Sequence, residues 1–330
     1  MAKSTTTWLA AATAWWLCAS AAAATDPEQA FIADLVSRHG FDPAWVERTL
    51  DGARHDERII AAITRPAEAM PWHRYRRIFL TDDRIDGGVD YWRKHAATLR
   101  AAQEAFGVPP HVITAIIGVE TRYGAHTGKY RVADALKTLG FGYPPRADFF
   151  RKELEQFLLM AREEGMDPLD PLGSYAGAMG QPQFIASSFR AYAVDFDDDG
   201  RRDLWDSDAD IIGSVANYFA RHGWTHGAAV AIPVSGDPAK LAALASGGSK
   251  PDRTLAEIVE AGVALPDSVD PAQPAVVIDL QQEDGPEFWA GFDNFYVITR
   301  YNHSNLYAMA VFQLAEAIRE RHAAGDQTPQ

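Results

Sequence analysis

Ile116-Ile117-Gly118-Val119-Glu120-Thr121-Arg122-Tyr123-Gly124 sets one acid at the end of an apolar run that Val112-Ile113-Thr114-Ala115 begins. Pro109 and Pro110 stand where a helix would start, since proline in the first turn gives up no needed N–H. Gly124 offers a stop one turn after the acid. The spacing predicts a buried helix that delivers a lone carboxylate to its own C-terminal end. Burial disfavours the charged form of a carboxyl group, and the negative end of the helix dipole acts in the same direction. Such a group stays protonated near neutral pH and can serve as a general acid. The alternative is a glutamate on a solvated helix edge, paired with Arg122 or Lys129.

The blocks around this segment favour the first reading. They are GVETRYG (Gly118 to Gly124), YPPRADFF (Tyr143 to Phe150), ELEQFLLMAREEG (Glu153 to Gly165) and GSYAGAMGQPQF (Gly173 to Phe184). DFDDDGRRDLWD (Asp195 to Asp206), GSVANYFARHGW (Gly213 to Trp224) and ITRYNHS (Ile298 to Ser304) follow in the same order. Through them the chain from Pro71 to about Arg321 resembles the B-type lytic murein transglycosylases, whose catalytic core is goose-lysozyme-like. The resemblance implies cleavage of the β-1,4 bond between N-acetylmuramic acid and N-acetylglucosamine in peptidoglycan, with a 1,6-anhydromuramoyl product.

Glycoside hydrolysis ordinarily uses two carboxylates. Asp134 and Asp148 are near Glu120 in sequence, but neither has a comparable apolar setting. In the resembled family one glutamate suffices, because the substrate's own C6 hydroxyl attacks the anomeric carbon. Glu120 would first protonate the departing oxygen and then take the proton from that hydroxyl. Carried over by the same match, Tyr75, Arg146, Ser174, Gln183, Tyr301 and Asn302 line the sugar cleft. Amides and hydroxyls bond sugar hydroxyls, aromatic faces stack on pyranose rings, and arginine pairs with muramoyl or peptide carboxylates. Gln181-Pro182 stands where relatives often have an aromatic residue and a glycine. A hydrolytic muramidase on the same scaffold and a non-catalytic peptidoglycan-binding protein are the competing readings.

Asp195-x-Asp197-x-Asp199-Gly200-x-x-Asp203-x-x-Asp206 follows the oxygen spacing of an EF-hand loop. The expected ligands are Asp195, Asp197, Asp199, Asp206 and the carbonyl of Arg201, holding a weak structural Ca²⁺. Asp206 is shorter than the usual glutamate of position twelve, so Asp208 or Asp210 is a possible replacement. His222 and His226 have an i, i+4 spacing, but Gly223 between them and the lack of an acidic partner leave them ordinary histidines.

Composition agrees with an exported globular enzyme. The 330 residues are 47% hydrophobic and 23% charged, with a net charge of −14. No basic run is large enough to track nucleic-acid phosphates. Residues 1–24 read as a signal peptide, with Lys3, an apolar stretch and Ala22-Ala23-Ala24 before the cleavage point. The single cysteine, Cys18, lies inside it, and bulky Leu17 argues against lipid attachment. A soluble periplasmic monomer is expected, acting on glycan strands, with cell-wall synthesis or division proteins as its protein partners.

The fold class expected is mainly helical α+β. Residues 25–106 form a helical N-terminal region, and 107–225 a lysozyme-like core containing the loop 195–206. Residues 226–298 form a small β-containing insertion, and 299–330 a C-terminal segment whose helix packs on the N-terminal region. The sheet is expected from Val230–Val234, Val276–Leu280 and Phe295–Ile298. One helix is expected across Asp90–Phe106, others over Phe149–Arg162, Ile211–Phe219 and Tyr307–Arg319.

Overall fold

Aspartate followed by proline opens two helices near the start of the described chain. Asp26 and Asp42 accept bonds from the main-chain N–H two residues on, each at 3.1 Å, and Pro27 and Pro43 take the first helical positions. The computed structural model describes residues 26–65, 70–245, 247–260, 262–263 and 270–326. The expected signal segment, with Cys18, lies outside the described residues. No helix among the described residues is long and apolar enough to cross a membrane.

Helices Pro27–His39, Pro43–Gly52 and Glu57–Ile63 bury Leu35, Val46, Leu50 and Ile59 in one core. Helices Val132–Gly142 and Ala147–Glu163 supply the opposing Leu136, Leu139, Phe157 and Leu158. Trp72–Phe79, Asp82–Lys94 and Ala96–Phe106 turn instead to a second core. The segment 25–106 is therefore divided between two cores. The single helix expected across Asp90–Phe106 is two, broken at His95, whose backbone leaves helical geometry (φ −111°, ψ 22°).

The second core is built around helix Pro110–Thr121. Every residue from Val112 to Val119 is buried, so this helix has no solvent face and is enclosed by other helices. It packs on Asp82–Lys94, Ala96–Phe106, Asp208–Arg221 and the C-terminal helix Asn305–Asp326. That last helix also packs on Trp72–Phe79 and Asp82–Lys94, so the chain's end closes over its first half.

The inserted sheet is four-stranded and antiparallel, in the order Ala231–Val234, Gly285–Gly291, Pro274–Gln282, Arg253–Thr254. Alternation decides its faces. Val276, Ile278 and Leu280 enter the second core, while Ala275 and Val277 join a small third one with Leu241, Leu255 and Phe288. Two runs match the expected strands, and one does not. Phe295-Tyr296-Val297-Ile298 belongs to helix Asp293–Tyr301, and the remaining long strand is Gly285–Gly291. Aromatic and β-branched residues favour strands only weakly, and here burial overrides them: Asn294, Phe295, Val297, Ile298 and Thr299 are all buried. Asn294 fixes the turn by accepting from Thr225 N (2.9 Å) and donating to the carbonyls of Thr225 (2.9 Å) and Ala228 (3.0 Å).

Candidate active site

Helix Pro110–Thr121 stops one residue after Glu120, earlier than Gly124 would have stopped it. Arg122 and Tyr123 both take left-handed backbone (φ 53° and 60°), a conformation that L side chains rarely adopt. Several contacts hold this turn. Arg122 N and Tyr123 N donate to the carbonyls of Gly118 and Ile117, each at 3.2 Å, the usual way a helix ends in a left-handed residue. Thr121 Oγ1 accepts from Gly124 N (3.1 Å) and donates to the Gln181 carbonyl (2.9 Å). The Tyr123 ring fills a slot that exists because Gly87, Gly88 and Gly118 lack side chains. A Cβ at Gly88 or Gly118 would lie 2.6 Å from the Tyr123 hydroxyl. That hydroxyl donates to the Arg84 carbonyl at 2.7 Å, and the Arg84 guanidinium donates to the Gly118 carbonyl at 2.5 Å. The peptide that aims Glu120 is thus clamped from two helices.

The carboxyl group of Glu120 meets aromatic hydroxyls. Tyr307, only 3% exposed, donates to Glu120 Oε1 at 2.5 Å. Burial pushes the Glu120 carboxyl up to about 7, and the Tyr307 bond, which favours the carboxylate, pulls the other way. No neighbouring charge contributes to this shift. The phenols of Tyr75, Tyr301 and Tyr307 are themselves raised, by burial first and then by the Glu120 carboxylate. Tyr75 and Tyr301 are therefore in the electrostatic field of the acid. Tyr301 spends its hydroxyl on the Pro182 carbonyl (2.7 Å), tying the C-terminal part of the chain to the Gln181–Gln183 loop.

Tyr307 is the site residue that the sequence reading missed. It falls just after the ITRYNHS block, at the head of an apolar helix where tyrosine reads as core. The only available signal is that its hydroxyl, among Ala308, Met309, Ala310 and Val311, needs a buried partner.

The remaining expected residues take different parts. Ser174 Oγ accepts from Ala176 N (3.2 Å) and Ala178 N (3.1 Å), closing the glycine-rich turn. Gln183, left-handed at φ 52°, donates its amide to the carbonyls of Thr127 and Gly180, both at 3.1 Å. The amide expected to reach substrate thus holds the loop. Arg146 is exposed and lies over the rings of Phe149 (4.3 Å) and Phe150 (5.2 Å). Asn302 is exposed at the end of helix Asp293–Tyr301. Among the described residues no hydrogen bond joins Arg146 or Asn302 to Glu120.

The acidic loop is a second centre. Asp195 accepts from Asp199 N (3.1 Å) and Gly200 N (2.8 Å), and Gly200 makes the sharp turn at φ 91°. Carboxylate oxygens of Asp195, Asp197 and Asp210 lie within 4.8 Å of one another, a set that suits a hard cation. Asp199 and Asp206, expected as ligands, are outside this group. Asp199 accepts from Arg201 N (2.9 Å). Ser207 caps helix Asp208–Arg221, and that helix carries Asp210 inward in its first turn, leaving Asp206 exposed before the cap. Asp210 is fully buried and accepts from Phe196 N (2.6 Å) and Asp203 N (2.8 Å). Burial raises its carboxyl, the two N–H bonds oppose that, and the charges of Asp197 and Asp195 add to it. His222 and His226 bind carbonyls, of Tyr218 (2.7 Å) and Gly107 (3.0 Å), as ordinary histidines do.

Comparison with known proteins agrees with this arrangement. Residues 24–316 match the family described as Transglycosylase SLT domain. Membrane-bound lytic murein transglycosylase B of Escherichia coli K12 is 43% identical over 300 residues, spanning 88% of this chain and 82% of that protein. The soluble lytic transglycosylase SltB1 of Pseudomonas aeruginosa is 47% identical, with a TM-score of 0.86 over 89% of this chain and 98% of its own. Slt35 of Escherichia coli, solved in complex with calcium, is 43% identical with a TM-score of 0.84, covering 91% and 95% of the two chains. A half-buried acid at the end of an enclosed helix, a lysozyme-like helical core and these likenesses lead to one conclusion: this chain belongs to the SLT-domain transglycosylases as a B-type lytic murein transglycosylase, an enzyme that cleaves peptidoglycan.

Proposed function

We propose that Glu120 acts alone as acid and then base in cleaving the β-1,4 bond between N-acetylmuramic acid and N-acetylglucosamine, leaving a 1,6-anhydromuramoyl end. The observation that carries this reading is the setting of the acid. Its ionisation is governed by burial and by Tyr307, with no second carboxylate acting on it. A pKa of about 7 lets the group donate a proton and then accept one near neutral pH. Protonated Glu120 gives its proton to the departing glycosidic oxygen as the C1–O bond breaks. The carboxylate so formed takes the proton of the C6 hydroxyl as that oxygen bonds C1, which returns Glu120 to its acid form. The acetamido oxygen of the same sugar stabilises the positive charge at C1 between the two steps. Tyr307 holds the carboxyl in place throughout and stabilises its charged form in the middle.

Tyr75, Ser174, Gln183 and Tyr301 form the sugar site at this acid, and Arg146 and Asn302 extend it toward peptide-bearing or neighbouring sugars. The fragment NAG-anhNAM-pentapeptide is bound by SltB3 of Pseudomonas aeruginosa, 30% identical with a TM-score of 0.79. Asp195, Asp197 and Asp210 would hold Ca²⁺, which supplies charge compensation that keeps the loop tied to helix Asp208–Arg221. The enzyme would work in the periplasm, exported by residues 1–24. Mass spectrometry of muropeptides released from purified sacculi tests the chemistry: anhydro ends are expected, and reducing ends formed with water would show a hydrolase.

A further inference from the structure

Beyond the cleft, three cavities run together along the segment 165–172. The largest lining belongs to a cavity of about 400 Å³, inside the ~300–1,000 Å³ range of small-ligand sites. Trp205, Leu172 and Met166 form its apolar side, and Asp170, Arg201 and Asp206 its polar side. The other two flank Trp45, and Met166 is a wall of all three. The three cavities meet at Met166, with Trp205 lining the first and Trp45 the other two. Leu172 is 46% exposed, far more than a leucine in a closed site.

The Trp205 cavity borders the loop that carries Gln183. Thr127 and Gly128 bound it, and the Thr127 carbonyl is the one that holds the Gln183 amide. A Cβ at Gly128 would lie 2.0 Å from the Gly173 carbonyl oxygen, so this wall is pressed directly against the Ser174 turn. At the far end the half-buried Trp45 stacks on Phe41, with ring centroids 5.4 Å apart and planes 12° apart. Arg162 lies 4.1 Å over the same Phe41 ring, which braces the stack from behind.

We propose that these adjoining cavities form one groove, an accessory site for the glycan strand of peptidoglycan, with Trp205 and Trp45 as stacking platforms for N-acetylated sugar rings beyond those at Glu120. The proposal rests on the peptidoglycan-cleaving activity of the family. A pyranose ring presents an apolar face of C–H groups and a rim of hydroxyls, which matches an indole plane beside carboxylate and guanidinium groups. In the Trp205 cavity the carboxylates of Glu164, Asp170, Asp203 and Asp206 outnumber the guanidinium groups of Arg201 and Arg202, and this acidic balance favours the neutral strand over its carboxylate-bearing stems as the occupant. Because the substrate is a polymer, a second site on the same strand works at millimolar effective concentration and raises hold without new contacts at the acid.

The test uses the full chain carrying Glu120→Gln, so that binding is read without turnover. Affinity is measured for long peptide-free glycan strands and for a tetrasaccharide of the same repeat. Adding Trp45→Ala should weaken long-strand binding at least about tenfold, since avidity from a second site reaches ~10²–10⁴. Tetrasaccharide affinity should stay within about twofold, the ligand being too short to bridge two sites. Trp205→Ala should give the same split, and Trp45→Phe, which keeps a flat ring, should restore most of the loss. Unchanged long-strand binding overturns the proposal. Equal weakening of both ligands, or no rescue by Trp45→Phe, overturns it too, because the substitution would then act through the fold. Continued cleavage by Glu120→Gln would instead remove Glu120 from catalysis, and the binding split would still decide the groove.

Discussion

Glu120 and the aspartates of the 195–210 loop carry the same functional group in opposite settings. Glu120 sits at the end of a helix that is buried on every side, its carboxyl meeting one phenol and no cation. Asp195 and Asp197 stand on an exposed or half-exposed loop, where main-chain N–H groups and Ser207 bond to them. In the first setting the proton is the cheapest way to remove charge, and the group becomes an acid. In the second, carboxylates gathered within 4.8 Å repel one another until a cation joins them. Asp210 stands between the two cases, as deeply buried as a catalytic acid yet bonded to two N–H groups. On the proposed reading, environment and not residue type assigns proton chemistry to one region and ion chemistry to the other.

The comparison breaks most easily at Glu120. Glu120→Gln keeps the size of the side chain but cannot cycle a proton, so turnover on sacculi should fall by at least about 10²-fold. A variant that releases anhydro-muropeptides at the wild-type rate would end the catalytic assignment. The same variant reports on stability. The folded pKa of about 7 lies above the ordinary 4.5, so the native state keeps a proton that the unfolded chain has released. Stability from this group is complete below the unfolded value and is lost as pH rises through about 7. Glu120→Gln should therefore gain on the wild type across that window, by at most about 3 kcal/mol, and then level off. Urea titrations at stepped pH values measure it, and a pH-independent difference would mean the carboxyl is solvated.

Gln183→Ala tests how much of the cleft is loop and how much is contact. Loss of one neutral hydrogen bond to substrate, about 0.5–1.5 kcal/mol, predicts a roughly threefold to tenfold drop in activity. Both limbs of the pH–rate profile should stay in place. A limb displaced by a full unit would couple Gln183 to the proton transfer.

On the ion side, Ca²⁺ at ten times a dissociation constant of about 10⁻³ M stabilises the fold by about 1.4 kcal/mol. Thermal melts with Ca²⁺ and with a chelator should show this rise in the wild type. It should vanish in Asp197→Ala and in Asp210→Asn, and survive in Asp206→Asn. Loss in Asp206→Asn would return the twelfth position to its sequence assignment.

Tyr307→Phe gives the smallest change. It removes a bond that favours the carboxylate, so the pKa of Glu120 should rise further, by up to about one unit for a bond of about 1 kcal/mol. The limb of the pH–rate profile set by Glu120 should move to higher pH. Movement the other way would mean that Tyr307 stabilises the protonated acid.

Much of this molecule could be read from local pattern. Asp-Pro pairs open helices at Pro27, Pro43 and Pro238, and the run into Glu120 is too apolar to lie anywhere but inside. The acid's burial and the turn at Gly200 follow from neighbours within a few residues. Phe295–Ile298 shows where that logic stops. Its composition favours a strand, yet Asn294 and the capture of Phe295, Val297 and Ile298 by the second core make it a helix. Likewise His95 interrupts a helix that periodicity would run straight through.

What the sequence determined by itself was the catalytic candidate, the cation loop and the family, because each is written in residues adjacent along the chain. What only the tertiary structure decided was which distant groups complete them. Tyr307 reaches Glu120 across 187 residues of sequence, and Gly87 and Gly88 open the slot that lets Tyr123 clamp the turn. Asp210, and not Asp206, lies with Asp195 and Asp197, because a helix cap at Ser207 sets the direction of the first turn. These pairings depend on how helices pack, and packing is a property of surfaces brought together from separate parts of the chain, which no local spacing records.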